Sequence, residues 1–258
     1  MTTIVFVHGA WHTPAHYEAY LFALRAQGFP VYSPQLPSCS NDDDSTSGLA
    51  DDVACVRELL SHLIDTQGRS VLMIMHSYGG VVGTEALLPS LTASQRSKDG
   101  SESHGGVTHL LYVAAYALQA GNSVSGTLEE CGWAHLWPLN FDLGEDRGGR
   151  TLPRYPKMMF YGDVADEDLV ERETRMLLRI PMSVFTTPAS SEVWRDVPFT
   201  YVSTLQDNAL PKNAQDLMLN KIRAKGVQFS LVELDTCHTP FLTRQEEMVK
   251  IVRDIDSC

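Results

Sequence analysis

Cysteine is scarce in this sequence of 258 residues, and the few cysteines follow no disulfide or metal pattern. There are five, an odd number, and no two of them stand in a CxxC spacing. This argues against a disulfide framework and a cysteine-type zinc site, and it favours a reducing compartment. The HExxH run of many zinc enzymes is absent as well. We therefore predict neither a metal nor a cofactor.

Basic residues are also few, and long apolar runs are missing. Twenty lysines and arginines stand against 32 aspartates and glutamates, which gives a formal net charge of −12. Because nucleic-acid affinity depends largely on basic side chains at phosphates, no nucleic-acid partner is expected. No stretch is long and apolar enough to suggest a signal peptide or a membrane span. The expectation is a cytoplasmic protein that works away from membranes, with its oligomeric state left open.

The sequence does contain a regular alternation of apolar, strand-like runs and amphipathic helical segments. The predicted strands lie at 3–7, 30–33, 70–75, 107–113, 199–203 and 227–234. Short connections between strands and helices favour an α/β fold, with a mostly parallel, doubly wound sheet and helices on both faces. We expect a single domain over 1–258, because open sheets of this kind often reach this size.

Two stretches depart from this alternation. Residues 93–106 are polar and low in complexity, which predicts a flexible surface loop. Residues 121–197 lack the strand–helix rhythm, and they include an acidic-then-basic segment at 163–179 that is typical of a helix. We predict that 121–197 is an insertion that forms a helical lid, or cap, over the domain.

A possible nucleophile lies in the run His-Ser-Tyr-Gly-Gly at 76–80, directly after a predicted buried strand. A serine on a sharp strand-to-helix turn is a candidate nucleophile, and small neighbours let the strand and the helix approach. Gly79 meets this need two positions after Ser77, but Met75 occupies the position two before it, where glycine is usual. The Met75 side chain would have to be accommodated by the neighbouring strand. On this motif alone, a helix-capping role for Ser77 stays open.

A second loop, His-Gly-Ala-Trp at 8–11, follows the first strand. Small residues there allow backbone N–H groups to face a cavity, as a developing oxyanion requires. We predict that the N–H groups of Ala10 and Tyr78 are these donors; a plain strand-ending turn is the alternative. Side chains near this loop and in the insertion are predicted to line a substrate pocket, namely His8, Trp11, His12, Trp133, Trp137 and Phe160.

A serine nucleophile needs a base, and the base needs an orienting acid. In sheets of this type the chain order is serine, acid, histidine. Asp207 and His238 follow the last two predicted strands, at the sheet edge where ligands bind in open α/β folds. Asp235 is a competing acid, but it is too close in sequence to His238 to reach around the ring. The candidate triad is therefore Ser77, Asp207 and His238, and a turn-forming role for Asp207 is the alternative.

These motifs resemble the α/β-hydrolase superfamily, especially small enzymes of the hydroxynitrile-lyase and salicylate-esterase type and related fungal hydrolases. The segments that carry the likeness are 4–11, 75–80, 201–211 and 235–240. The resemblance implies a sheet of about six strands in the order 2-1-3-4-5-6. It also implies that Ser77 is the nucleophile, Asp207 the acid and His238 the base, with Ala10 and Tyr78 as oxyanion donors. The winding reverses between the first and third strands, so the loops at 8–11 and 76–80 would meet there.

The expected function is hydrolysis of a small-molecule substrate, a carboxylic ester or lactone, through an acyl-enzyme intermediate. Two alternatives stay open. A lyase could use the same triad for proton transfer. The resemblance to such lyases would favour a lysine in the pocket, but no lysine directly flanks these motifs. A receptor could keep the fold as a pocket for a small molecule without catalysing a reaction.

Overall fold

The computed structural model describes residues 2–99 and 105–257. The strands are β1 (Thr3–Val7), β2 (Val31–Tyr32), β3 (Ser70–His76), β4 (Gly106–Val113), β5 (Phe141–Asp142), β6 (Arg150–Pro153), β7 (Ile180–Pro181), β8 (Phe199–Thr204) and β9 (Ser230–Leu234). The α-helices are α1 (Glu18–Ala26), α2 (Leu49–Ser61), α3 (Gly79–Ala86), α4 (Ala93–Lys98), α5 (Val124–Glu130), α6 (Trp137–Asn140), α7 (Pro156–Phe160), α8 (Glu167–Arg175), α9 (Ser183–Thr186), α10 (Lys212–Ala224), α11 (Pro240–Thr243) and α12 (Gln245–Asp256). Within these described ranges, no helix combines the length and apolar character that a membrane span needs.

The central sheet has six strands in the order β2-β1-β3-β4-β8-β9. All five of its strand pairs are parallel. Since β8 and β9 are the fifth and sixth strands of this sheet along the chain, the predicted strand order is confirmed. The winding direction reverses between β1 and β3, which are neighbours. The loops that follow these two strands therefore lie side by side at the carboxyl edge of the sheet.

Both faces of the sheet are covered by helices, which explains why its inner strands are almost continuously apolar. Successive side chains of a strand point to opposite faces. In β1, Val5 and Val7 join one buried cluster with side chains of α2, α3 and α10. Ile4 and Phe6 join a second cluster with side chains of α1 and α12. The sheet is thus packed on both faces and supports the loops at its carboxyl edge.

The prediction of a flexible loop at 93–106 is wrong in part. Helix α4 occupies Ala93–Lys98, and the Thr92 hydroxyl caps it by accepting a hydrogen bond from the Gln95 N–H at 3.3 Å. Strand β4 already begins at Gly106. Residues 100–104 lie outside the described residues. The polar composition concealed a short capped helix, because serine and threonine favour both loops and N-caps.

The chain between β4 and β8 is not the purely helical insertion that the sequence predicted. It combines α5 to α9 with a small antiparallel sheet, β5-β6-β7. These strands have two to four residues each, too few for an alternating pattern to be recognised. The two ends of the segment meet: Gly121 N–H donates to the Ala189 carbonyl, and Ala189 N–H donates to the Asn122 carbonyl, both at 2.8 Å. That this segment works as a lid stays a prediction.

A buried arginine ties the inserted segment to the body of the domain. The Arg150 side chain, in β6, is 1% exposed, and its Nη2 donates to the carbonyls of Ser38 at 2.7 Å and Ser40 at 3.0 Å. A charged group is costly to bury unless hydrogen bonds compensate, so these contacts fix β6 against the loop that follows β2.

Candidate active site

Ser77 lies in the turn between β3 and α3 with a left-handed backbone, φ 53°. This conformation costs a non-glycine residue about 1–2 kcal/mol, so the surrounding structure must hold it. Close packing does so. A Cβ on Gly79 would overlap the Val7 carbonyl oxygen, and one on Gly80 would lie 2.7 Å from the Tyr116 carbonyl oxygen. The two glycines thus lie where α3 touches β1 and the chain that follows β4.

Met75, which stands in the usual glycine position of this turn, is fully buried. Its sulfur and Cγ occupy the place where a Cβ on Gly83 of α3 would lie. The prediction that a neighbouring strand makes room for Met75 is therefore wrong. The room comes from the missing side chain at Gly83, on the helix that follows the turn.

This packing predicts energetic coupling between the two positions. Gly83→Ala is expected to lower the free energy of unfolding by about 1–3 kcal/mol through overpacking, less any gain in helix propensity. Met75→Ala leaves a cavity and is expected to cost about 2–5 kcal/mol. In the double variant the new methyl group enters space that Met75 has vacated, so the two losses should not add. Urea unfolding of the four proteins measures the coupling, and simple additivity would contradict this account.

Asp207 and His238 follow β8 and β9, and their side chains meet. Asp207 Oδ2 lies 2.7 Å from His238 Nδ1, and both side chains are almost completely buried. The Thr204 hydroxyl donates to the same oxygen at 2.7 Å, while Oδ1 accepts the N–H groups of Ala209 and Leu210 at 2.8 Å each. Four donors therefore hold the carboxylate in place. Because the carboxylate accepts the Nδ1 proton, Nε2 of His238 is left free to act as a base.

His238 lies close to the turn that carries Ser77, with its ring centroid 4.6 Å from that of His76. Among the described residues, the Ser77 hydroxyl and the His238 ring are not hydrogen-bonded to each other, and the ring nitrogen that is bonded is Nδ1. Without substrate such bonds are often long, and they shorten in the complex. The competing acid, Asp235, is exposed and accepts a hydrogen bond from Gln206 Nε2 at 2.7 Å. Among the described residues, no hydrogen bond or ion pair joins its carboxylate to the His238 ring.

Ala10 and Tyr78 face the same cavity as Ser77. Among the loop and turn hydrogen bonds of the described chain, neither of their N–H groups has a backbone acceptor. Trp11, next to Ala10, is a second residue with a left-handed backbone, φ 63°. Unpaired donors at a cavity can bind a negatively charged oxygen. As a pair of oxyanion donors, Ala10 and Tyr78 stay a prediction.

The Tyr78 side chain is anchored by a buried carboxylate that the sequence did not point to. Its hydroxyl donates to Asp52 of α2 at 2.8 Å, and Asp52 also accepts the N–H and the hydroxyl of Ser38 at 2.8 and 2.5 Å. Burial raises the pKa of Asp52 to about 6, against the opposing effect of these hydrogen bonds. Aspartate is common in the first turn of a helix, so its position alone carried no signal.

A cavity of about 630 Å³, including its open mouth, lies beside Ser77. Of its eighteen lining residues, ten come from the inserted segment: Val124, Leu128, Trp133, Leu136, Trp137, Asn140, Phe141, Met159, Phe160 and Phe185. Trp11 lines it from the other side and stacks on Phe141 and Phe185, with ring centroids 5.1 Å apart in each pair. The predicted pocket residues Trp11, Trp133, Trp137 and Phe160 are all in this lining. Such a wall suits an apolar ligand.

The prediction that His8 and His12 line the pocket is wrong, because both rings are turned to the backbone of the loop after β1 and to its neighbours. Leu36 N–H donates to His8 Nε2 at 3.0 Å. His12 pairs with the Ala10 carbonyl at 2.8 Å and with the Tyr161 hydroxyl at 2.9 Å. Burial lowers the pKa of His8 to about 4 and that of His12 well below its usual range, so both rings are neutral. They brace the loop that carries Ala10.

Sequence reasoning missed several residues that line the cavity. Tyr116 follows β4, while Asn208, Ala209 and Pro211 follow β8. Their position after parallel strands, at the edge where ligands bind, was a usable signal. The lining residues on the short helices of the insertion carry no periodic pattern and could not have been found that way. Within residues 2–99 and 105–257, no group of three or more histidine, cysteine or acidic side chains is arranged to hold a metal ion.

The chain is similar to several known proteins. A model of the alpha/beta hydrolase family matches residues 4–251. The chain is 24% identical to an alpha/beta hydrolase of Aspergillus novofumigatus over 97% of this chain and 95% of that protein. It is 24% identical to a pyrethroid hydrolase of Sphingobium wenxiniae over 98% of this chain and 87% of that protein. A methylesterase from Arabidopsis has a similar structure, with a TM-score of 0.71, 20% identity and complete coverage of both chains.

Proposed function

The chain belongs to the alpha/beta hydrolase family, and on that premise we propose that it is a serine esterase in which Ser77, His238 and Asp207 act as a catalytic triad. The observation that carries the proposal is the buried contact between Asp207 Oδ2 and His238 Nδ1, 2.7 Å long, beside a serine on a left-handed turn. Relatives named as a methylesterase and a pyrethroid hydrolase support hydrolysis as the reaction class.

In the first half-reaction the Ser77 hydroxyl attacks the carbonyl carbon of the ester, and His238 Nε2 takes its proton. Asp207 holds the imidazole by its Nδ1–H and stabilises the imidazolium that forms. The negative charge on the former carbonyl oxygen is stabilised by the N–H groups of Ala10 and Tyr78. As the tetrahedral intermediate collapses, the ester C–O bond breaks and His238 gives its proton to the departing alcohol.

In the second half-reaction a water molecule attacks the acyl group on Ser77, and His238 again serves first as base and then as acid. The carboxylic acid leaves and the serine hydroxyl is restored. A lactone would follow the same course, except that its alcohol stays attached to the acyl group. The aromatic and aliphatic lining of the cavity favours substrates with an apolar acyl or alcohol group.

Trapping the acyl-enzyme tests this function. We expect that an acid quench within the first turnovers of p-nitrophenyl acetate yields protein carrying one acetyl group, which peptide mapping by mass spectrometry places on Ser77. Ser77→Ala should show no adduct under the same conditions. A wild type that forms no adduct and hydrolyses no ester, yet cleaves a hydroxynitrile, would instead favour lyase-type proton transfer. A protein that binds such compounds but turns over none of them would favour a receptor.

A further inference from the structure

A chain of buried hydrogen bonds runs beneath Ser77 and joins the two loops that flank it. The Gly9 N–H donates to the Tyr17 hydroxyl oxygen at 3.3 Å. The Tyr17 oxygen lies 2.7 Å from His76 Nδ1, and His76 Nε2 lies 2.9 Å from the backbone carbonyl oxygen of His238. One end of this chain is the residue before Ala10, and the other end is the main chain of the base itself.

The chemistry of these groups gives the chain a single direction. A backbone carbonyl can only accept, so His76 Nε2 must carry a proton and donate it to His238. Burial lowers the pKa of His76 well below its usual range, and the neutral ring therefore presents a bare Nδ1 that accepts from Tyr17. The phenol stays protonated because burial raises the pKa of Tyr17 far above its ordinary value. Donation thus runs in one direction, from the Gly9 N–H through the Tyr17 hydroxyl and the His76 ring to the His238 carbonyl.

The surroundings bury this chain and pack against it. Tyr17 is 2% exposed, and His76 is completely buried. Phe241 packs edge-on against both rings, with centroids 5.3 Å from Tyr17 and 5.2 Å from His76. A Cβ on Gly9 would lie 3.1 Å from both His76 Nδ1 and the Ser77 Cβ, so the loop lies directly against the nucleophile turn. At so buried a position a lost hydrogen bond leaves a polar group without a partner, and a shift of the loops is expected to compensate.

We propose that Tyr17 and His76 are positioning residues, which fix the loop of Ala10 and the main chain of His238 relative to Ser77. This inference rests on the proposed serine esterase function. Neither side chain is among those that line the cavity in the described chain, and both are buried. They act by holding the Ala10 N–H, as oxyanion donor, and His238, as base, in position. A displacement of about 1 Å at a reacting group can cost a factor of 10² in rate.

The chain offers a matched control in Tyr20. Like Tyr17, it is almost fully buried and packs against Phe6 and Phe241. Its hydroxyl, however, has no hydrogen-bond partner within the described residues. Tyr17→Phe and Tyr20→Phe therefore remove the same atom from the same aromatic cluster, and only the first breaks the chain.

Two readouts should respond. The first is the rate at which a fluorophosphonate labels Ser77, which needs the base and the oxyanion donors but no knowledge of the natural substrate. The second is kcat and KM for p-nitrophenyl acetate. For Tyr17→Phe we expect labelling and kcat to fall about 10- to 100-fold while KM stays near the wild-type value. For Tyr20→Phe we expect all three to match the wild type. The assays are run well below the melting temperature of each variant. A lower rate then reflects altered positioning and not unfolded protein.

A second substitution checks the other member. His76→Gln retains an N–H that can donate to the His238 carbonyl, whereas His76→Leu retains no donor, so the glutamine variant should label faster than the leucine variant. Wild-type labelling rates in both Tyr17→Phe and His76→Leu, or equal losses in Tyr17→Phe and Tyr20→Phe, would overturn the positioning role and leave the esterase function intact. A wild-type protein whose Ser77 resists labelling would overturn the esterase function, and this inference with it.

Discussion

Replacing Ser77 with alanine is expected to lower kcat for ester hydrolysis by about 10⁴- to 10⁶-fold, because the alkoxide that attacks the carbonyl is lost. Residual turnover would come from the remaining donors and from binding. Initial rates with p-nitrophenyl acetate, compared with the uncatalysed reaction, measure the loss. Activity in Ser77→Ala within a factor of about 10 of the wild type would remove this residue from the mechanism.

A glycine at the same position separates chemistry from stability. Alanine keeps the left-handed backbone strain of Ser77, whose φ is 53°, while glycine tolerates that conformation. Ser77→Gly should be as inactive as Ser77→Ala, yet unfold with a free energy about 1 kcal/mol higher. Urea unfolding of the two variants measures the difference. Such a result would show that the fold spends stability to hold its nucleophile in place.

Asp207→Asn is expected to lower kcat by about 10³- to 10⁴-fold without unfolding the protein. An asparagine can keep a carbonyl oxygen facing the N–H groups of Ala209 and Leu210. Its NH2 group would then face His238 Nδ1, which must accept, so the ring proton moves to Nε2. In that tautomer Nε2 cannot take the serine proton. Steady-state kinetics and a thermal melt of the same preparation test the two parts of this prediction.

Asp235→Asn is the control for that experiment. Asp235 lies three residues before His238, but it is exposed and its contact is with Gln206. The same loss of one charge there should leave kcat at the wild-type level. If Asp235→Asn were the more damaging of the two, the acid of the triad would have been assigned to the wrong strand end.

Features of the structure were predictable from the sequence where many residues meet the same physical requirement. Apolar runs predicted the six strands of the sheet, whereas their order was implied by the resemblance to a known family. Asp207 and His238 were found because strand ends of a parallel sheet share an edge, and the structure brings the two into contact. Apart from the strand order, these inferences needed only local pattern and topology.

Single contacts between distant residues were not predictable. The space for Met75 depends on Gly83, and no pattern in the sequence links these two positions. The cap of α4 is one hydroxyl in a polar stretch. His8 and His12 were predicted to line the pocket because they lie in or beside the loop at 8–11, but their ring nitrogens bond the backbone of that loop and its neighbours. A polar side chain often has two plausible hydrogen-bond partners. The packing that selects one of them cannot be read from the sequence.

The pairing of Gly121 and Asn122 with Ala189 closes the inserted segment at a narrow neck. The candidate triad residues, Ser77, Asp207 and His238, all lie outside that neck, whereas ten of the eighteen residues that line the cavity lie within it. More than half of the residues that line the cavity thus come from a stretch of chain that holds none of the three candidate triad residues. Substitutions inside the neck are therefore expected to change the shape of the cavity while they leave the three candidate triad residues in place.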